Sequence, residues 1–300
     1  MRKTLFRKIF ESIIILPIAF LMISCGGSGG GDGGPSDQTS AIIVDHASTD
    51  LAAIPASWID QAKATLHIAY GHSSHGSQLI DGMAGLYSWK GSLYASNSDG
   101  TGGALELRDY AFYSYGAEDL GNPNRTAWAT ATSAYLDNNP DINVVIWSWC
   151  GQVSDATEAD INTYLSLMNG LEQDYPDVKF VYMTGHLDGS RVNGNLHLRN
   201  EQIRQYCRAN NKILYDFADI ESFDPDGNGY LDLGANDGCS YDSDGDGSQD
   251  SNWAINWQNT HAEGLYWYNC NSAHSQPLNA NLKAYAAWWL WARLAGWDGQ

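Results

Sequence analysis

Basic residues are scarce in this chain: 16 Lys and Arg stand against 35 Asp and Glu in 300 residues, a formal net charge of −19. A surface that acidic excludes nucleic acid and anionic membrane as electrostatic partners. Cysteine is limited to five residues, too few for a small disulfide scaffold. A His-Glu-x-x-His helix motif is missing, and with it the usual zinc hydrolase signature. No repeat at solenoid spacing occurs.

What is present begins with a targeting segment. Arg2, Lys3, Arg7 and Lys8 precede the apolar run Ile13 to Ile23, which is too short and one-sided for a stable membrane span and reads as a signal peptide over residues 1–24. Leu21-Met22-Ile23-Ser24-Cys25 resembles a bacterial lipobox, which makes Cys25 the expected lipidated first residue of the mature chain. Residues 25–40 then form a Gly-rich tether without apolar residues to pack. A lipid-anchored position in the bacterial cell envelope, at the outer membrane, is the expected location, with secretion after cleavage elsewhere as the alternative. Removing residues 1–24 takes away four basic side chains and Glu11 and leaves a charge of −22. The other cysteines are Cys150, Cys207, Cys239 and Cys270. In an exported protein such thiols are expected to pair; Cys239 with Cys270 is the favoured disulfide, and Cys150 with Cys207 the second.

Residues 41–297 suffice for one α/β domain. Apolar, β-rich runs at 41–44, 66–70, 144–149, 178–184 and 213–217 alternate with helical patterns at 56–64, 77–87, 127–136, 158–175 and 197–210. That alternation predicts a mostly parallel sheet covered on both faces, a three-layer α/β/α architecture. Residues 105–115 are a further candidate strand. The last helix, 278–294, carries Trp288, Trp289 and Trp291, for which core packing is expected over carbohydrate stacking.

Ligands of open α/β sheets sit beyond the carboxyl ends of the strands, so the turns at 71–76, 150–154 and 185–195 are the candidate site. Gly71-His72-Ser73-Ser74-His75-Gly76 places serines at a strand-to-helix turn, where a hydroxyl is exposed near backbone N–H groups. Ser73 needs a base, and His274 lies just before the final helix in Asn271-Ser272-Ala273-His274. A serine turn after an early core strand and a histidine opening the last helix resemble the SGNH or GDSL-like hydrolases, whose fold is a flavodoxin-like α/β/α sandwich. That resemblance implies a serine esterase with Ser73 as nucleophile and His274 as base. The family's early Gly-Asp-Ser is Gly71-His72-Ser73 here. Its late Asp-x-x-His is Asn271-x-x-His274, so a backbone carbonyl or another carboxylate, with Asp242 and Glu263 as candidates, orients the histidine, or the site is a weaker dyad. The family's oxyanion asparagine has no counterpart after residues 144–149; Gln152 is the expected substitute, with Gly121, or Gly116, as the backbone donor.

His72 and His75, with His186 and Asp188 in another turn of the same face, are expected to line the substrate pocket. As an alternative, His72, His75 and His186 hold a catalytic metal. Asp224, Asp226, Asn228, Tyr230 (through its carbonyl) and Asp232 follow the spacing of a calcium loop, with glycine at position 6. Asp242, Asp244, Asp246 and Asp250 repeat it. Both loops lack the closing acid, and structural calcium in an insertion over residues 222–253 is the expectation; no organic cofactor is implied. The expected function is hydrolysis of acyl esters, carbohydrate acetyl esters among them, through an acyl-enzyme. A non-catalytic surface module binding carbohydrate or protein, and a metal-dependent hydrolase, are the alternatives.

Overall fold

The computed structural model describes residues 40–300; the expected signal peptide, the Cys25 lipidation site and most of the tether lie outside the described residues. The sheet strands are Ile42–Val44 (β1), His67–Gly71 (β2), Ser96–Asn97 (β3), Leu105–Arg108 (β4), Val144–Trp147 (β5), Lys179–Met183 (β6) and Ile213–Tyr215 (β7). They pair in the order β1-β7-β6-β5-β2-β4-β3, and every pairing is parallel. The helices are Ala56–Thr65 (α1), Ser77–Lys90 (α2), Ala127–Asn138 (α3), Glu158–Asp174 (α4), Asn195–Ala209 (α5), Phe217–Ile220 (α6), Trp253–Thr260 (α7) and Pro277–Leu294 (α8).

Because side chains alternate along a strand, one set faces each layer. Ile68, Tyr70, Val144 and Ile146 pack in the core beneath α2 and α8, whereas Ala69, Val145 and Trp147 pack in the core beneath α3 and α4. The three-layer α/β/α expectation therefore holds. Thr157 and Asp160 form a capping box that starts α4, satisfying free N–H groups of its first turn. Pro277 occupies the first turn of α8, where its missing N–H costs nothing. Trp288 and Trp291 are buried in the core, as expected for this helix, and Trp289 is partly buried. At Gly82 of α2 an added Cβ would lie 2.1 Å from the Ala280 carbonyl oxygen of α8, so only glycine permits this close approach.

A buried ion pair ties α8 to the loops above the sheet. Lys283 Nζ lies 2.7 Å from Glu221 Oε2 and donates to Gln78 Oε1 at 2.5 Å, with both charged side chains fully buried. Glu221 also accepts from the Leu187 N–H, and Gln78 Nε2 donates to the Ala273 carbonyl at 2.5 Å.

Two expectations change. Residues 105–115 are strand only to Arg108; the Tyr110 N–H donates to the Asp109 side chain, Tyr110 takes a left-handed φ of 50°, and a 3-10 turn follows at Tyr113–Tyr115. The four cysteines of the domain are free thiols. Cys239 Sγ is 3.3 Å from Ser275 Oγ, Cys270 Sγ approaches the Pro277 carbonyl, and Cys207 is buried in the core on α5, so neither expected pair meets. Among the described residues no helix is long and apolar enough to cross a membrane.

Candidate active site

The central strands β4-β2-β5-β6-β7 follow the doubly wound order 2-1-3-4-5, so the connections that follow β2 and β5 diverge, α2 over one face and α4 over the other, and a crevice opens between the ends of β2 and β5. Gly71 of β2 pairs with Trp147 of β5, and the Ser148 N–H donates to the Gly71 carbonyl at 2.9 Å. The turns that follow these two strands are thereby held side by side. One carries His75 and the other Cys150. At Gly76 an added Cβ would meet the His72 Cβ at 2.3 Å and Ser148 Oγ at 2.4 Å, which explains the glycine that closes the first turn.

His75 is the centre of the crevice. Its Nδ1 lies 3.2 Å from Cys150 Sγ and its Nε2 lies 3.0 Å from Asp237 Oδ2. A thiol and a carboxylate bridged by one imidazole can act as nucleophile, orienting group and base. The His75 hydrogen bond is the main cause that lowers the Cys150 thiol to about 7, against a burial effect that raises it; Ser74 Oγ, 3.6 Å from the sulfur, lowers it further. Burial opposes a charged His75, but the bonds to Asp237 and Cys150 outweigh it and raise His75 to about 9. Asp237 is lowered: burial acts against its ionisation, and His75 and His186 prevail. Near neutral pH His75 is therefore charged and a substantial fraction of Cys150 is thiolate beside it.

His186 stacks on one face of His75, with ring centroids 3.7 Å apart and planes at 5°, and His274 stacks on His75 at 4.5 Å and 20°. His186 Nδ1 donates to the Leu187 carbonyl at 2.8 Å, and burial, chiefly, lowers its pKa. Ligand atoms of His75, His186 and Asp237 lie within 4.8 Å of one another, so these three residues are the candidate metal ligands of the crevice. The parallel rings argue against chelation. Ring lone pairs lie in the ring plane, so an ion shared by two face-to-face imidazoles sits out of plane for both, whereas zinc binds imidazole nitrogen in plane at about 2.0–2.1 Å.

Ser73 and His274, the expected nucleophile and base, are not joined. Ser73 Oγ donates to Asp119 Oδ2 at 2.5 Å, while His274 is exposed and stacked on His75. Asn271 is exposed and makes no side-chain hydrogen bond to His274 among the described residues. Of the carboxylates considered for the missing orienting role, Asp242 is paired to Arg191 at 2.5 Å. Gln152, the expected oxyanion donor, is committed elsewhere: its Nε2 donates to Asp119 Oδ1 at 3.1 Å and its Oε1 accepts the Cys150 N–H at 2.9 Å. Gly121 likewise donates its N–H to Asp119 Oδ1, at 2.8 Å. Asp119, buried and missed in the sequence, thus fastens the Ser73 turn, the Gly121 loop and the Cys150 turn together. His72 is fully buried with Nε2 2.5 Å from Asp109, so it braces the turn, and exposed Asp188 accepts the Ser190 N–H in a local turn.

The two acidic loops differ. In the first, Asp224 accepts from Asp226 N, Asn228 N, Asn228 Nδ2 and Tyr230 Oη, and Asp226 accepts from the Trp257 indole, and among the described residues no three carboxylates of this loop converge on one point. Tyr230 instead packs against Tyr241 and Trp253. In the second, Asp242 accepts from the Gly245 and Gly247 N–H groups and pairs with Arg191, and Asp250 accepts from Ser243, while carboxylate oxygens of Asp242, Asp244 and Asp246 still converge within 4.8 Å. A short antiparallel hairpin, Ser240–Tyr241 (β8) with Ser251–Asn252 (β9), closes that second loop.

Comparison with protein-family models, curated proteins and solved structures finds no match for this chain.

Proposed function

We propose that this chain hydrolyses acyl esters through a thioester on Cys150, with His75 as acid and base and Asp237 holding His75. The observation that carries the proposal is the His75 ring bridging Cys150 Sγ at 3.2 Å and Asp237 Oδ2 at 3.0 Å. The ester hydrolysis expected from the sequence is retained and the nucleophile is reassigned, because a serine hydroxyl bound to a carboxylate lacks an imidazole to take its proton. The Cys150 thiolate attacks the ester carbonyl carbon and forms the C–S bond. As the tetrahedral intermediate collapses, the C–O bond breaks and His75 Nδ1 gives its proton to the departing alkoxide. Water then attacks the thioester, His75 takes its proton, and the C–S bond breaks to release the acid and restore the thiolate. Cys150 N–H is bonded to Gln152, which leaves Gly151 N–H, the next along the turn, as the oxyanion donor of this scheme.

The proposal keeps an exported, lipid-anchored protein, with Cys25 as anchor, and assigns structural calcium to the second acidic loop, where the Asp242, Asp244 and Asp246 oxygens converge. The test is alkylation and turnover together. Iodoacetamide at pH 7 labels Cys150 ahead of Cys239 and Cys270, whose thiols burial pushes up to about 12. Cys150→Ala lowers kcat/KM on a short-chain ester by roughly 10³-fold or more, and Ser73→Ala retains turnover. Full activity in Cys150→Ala, or its loss only in Ser73→Ala, refutes the thiol mechanism. Activity lost to a zinc chelator and restored by zinc makes His75, His186 and Asp237 a metal centre instead.

A further inference from the structure

Beside the crevice lies an open cavity of about 660 Å³ lined by His72, Ser73, Ser74, Tyr110, Tyr113 and Glu118. Ser74 connects it to the nucleophile, since the Ser74 hydroxyl is 3.6 Å from Cys150 Sγ. The two tyrosines are about half or more exposed, at 49% and 64%. Large aromatic rings left open in a cavity next to a reactive group mark a binding surface more than a packing defect.

Tyr110 is also held in place at a conformational cost. It has a φ of 50°, a left-handed conformation that bulky residues avoid. Its N–H donates to Asp109 Oδ1 at 3.0 Å, its carbonyl accepts the Tyr113 N–H at 3.2 Å, and Ala111 N–H donates to the Tyr70 carbonyl at 3.1 Å. Those bonds lock the turn on both sides. The ring then rests against buried His72, with centroids 4.3 Å apart, and His72 is itself held by Asp109 at 2.5 Å. One face of the ring is thus supported by protein, and the residue remains half exposed.

The lining restricts what that platform takes. No Lys or Arg lines the cavity and Glu118 does, so an anionic ligand is repelled. Both ring nitrogens of His72 are bonded, to the Ser73 carbonyl and Asp109, and the other polar groups are hydroxyls of Ser73, Ser74, Ser114 and the tyrosines, suited to a neutral ligand rich in hydroxyl groups. An aromatic face packs against the C–H face of a sugar ring while hydroxyls at its border take the ring's own hydroxyls.

We propose that this cavity is a subsite for a neutral sugar ring, with Tyr110 as the stacking platform and Tyr113 beside it, and that the ester presented to Cys150 is carried by that sugar. The substrate class rests on the thioester reading above; the sugar site itself does not.

Two measurements on the mature chain separate them. In hydrolysis, Tyr110→Ala raises KM for 6-O-acetylglucose by about tenfold, the loss of one stacking contact, and leaves kcat/KM for ethyl acetate within about twofold, because that ester is too small to reach the platform. Tyr110→Phe retains the wild-type KM, since the ring and not the phenol makes the contact. Equal loss on both esters overturns the subsite, as it shows that only the turn was disturbed, and so does an unchanged KM on the acetylated sugar. In binding, Cys150→Ala protein is titrated calorimetrically with a neutral gluco-oligosaccharide, and binding disappears in Cys150→Ala/Tyr110→Ala. Binding that depends on Tyr110, together with a wild-type protein that hydrolyses neither ester, supports the sugar site and overturns the thioester reading. Hydrolysis with no sugar binding does the reverse.

Discussion

Replacing Lys283 by Met should destabilise the domain severely, for a reason that does not depend on catalysis. Lys283 and Glu221 are both fully buried and 2.7 Å apart, and the ammonium also donates to Gln78 and sits 3.8 Å over the Phe217 ring. Methionine fills much of the same volume but leaves the Glu221 carboxylate without a cation in a place water does not reach. Breaking a buried pair by removing one partner costs about 3–5 kcal/mol. For a domain of this size, at roughly 2–4 °C per kcal/mol, Tm falls by about 6–20 °C. Glu221→Gln in the same protein removes the stranded charge while keeping an oxygen for the Leu187 N–H, and should recover roughly 1–3 kcal/mol. Urea unfolding of the wild type, both single variants and the double variant measures the cycle. A Lys283→Met loss below about 1 kcal/mol, or a double variant no better than Lys283→Met alone, refutes a charged buried pair at this position.

Three other outcomes are expected. The kcat/KM profile should be bell-shaped, rising as Cys150 ionises near 7 and falling as His75 loses its proton near 9; activity that keeps rising below pH 5 rules out a thiolate nucleophile. Gly76→Ala forces a Cβ to within 2.3–2.6 Å of His72, Ser148 and Tyr70. It should cost about 1–3 kcal/mol and slow alkylation of Cys150, and unchanged unfolding and labelling would contradict that crowding. Calcium should raise Tm, and Asp246→Asn should remove the effect while Asp226→Asn leaves it; a melting curve indifferent to calcium and chelator excludes the ion from the second loop.

Much of the frame was legible in the chain. The continuous apolar runs and helical patterns located β1, β2, β5, β6 and β7 and α1 to α5 within a few residues, because a sheet buried on both faces demands continuous apolar strands. The tryptophans of α8 were read correctly as core. Tyr110 was misread as strand because a side-chain bond from Asp109 to the following N–H competes with the sheet. The disulfides were misjudged because residue type and compartment say which thiols exist, not which ones meet. Asp237 was overlooked since it lay among acids whose glycine spacing suggested calcium.

The sequence by itself determined the three-layer architecture and the strand-to-helix turn where the site lies, because both follow from local periodicity and turn chemistry. Only the tertiary structure decided which side chains act together there. His75 meets Cys150 across 75 residues and Asp237 across 162. Those separations close because the strand order reverses between β2 and β5, which sets two distant turns side by side. Ser73, next in the chain to Ser74, is turned instead toward Asp119, so a neighbouring residue lost its expected partner and a remote cysteine gained one.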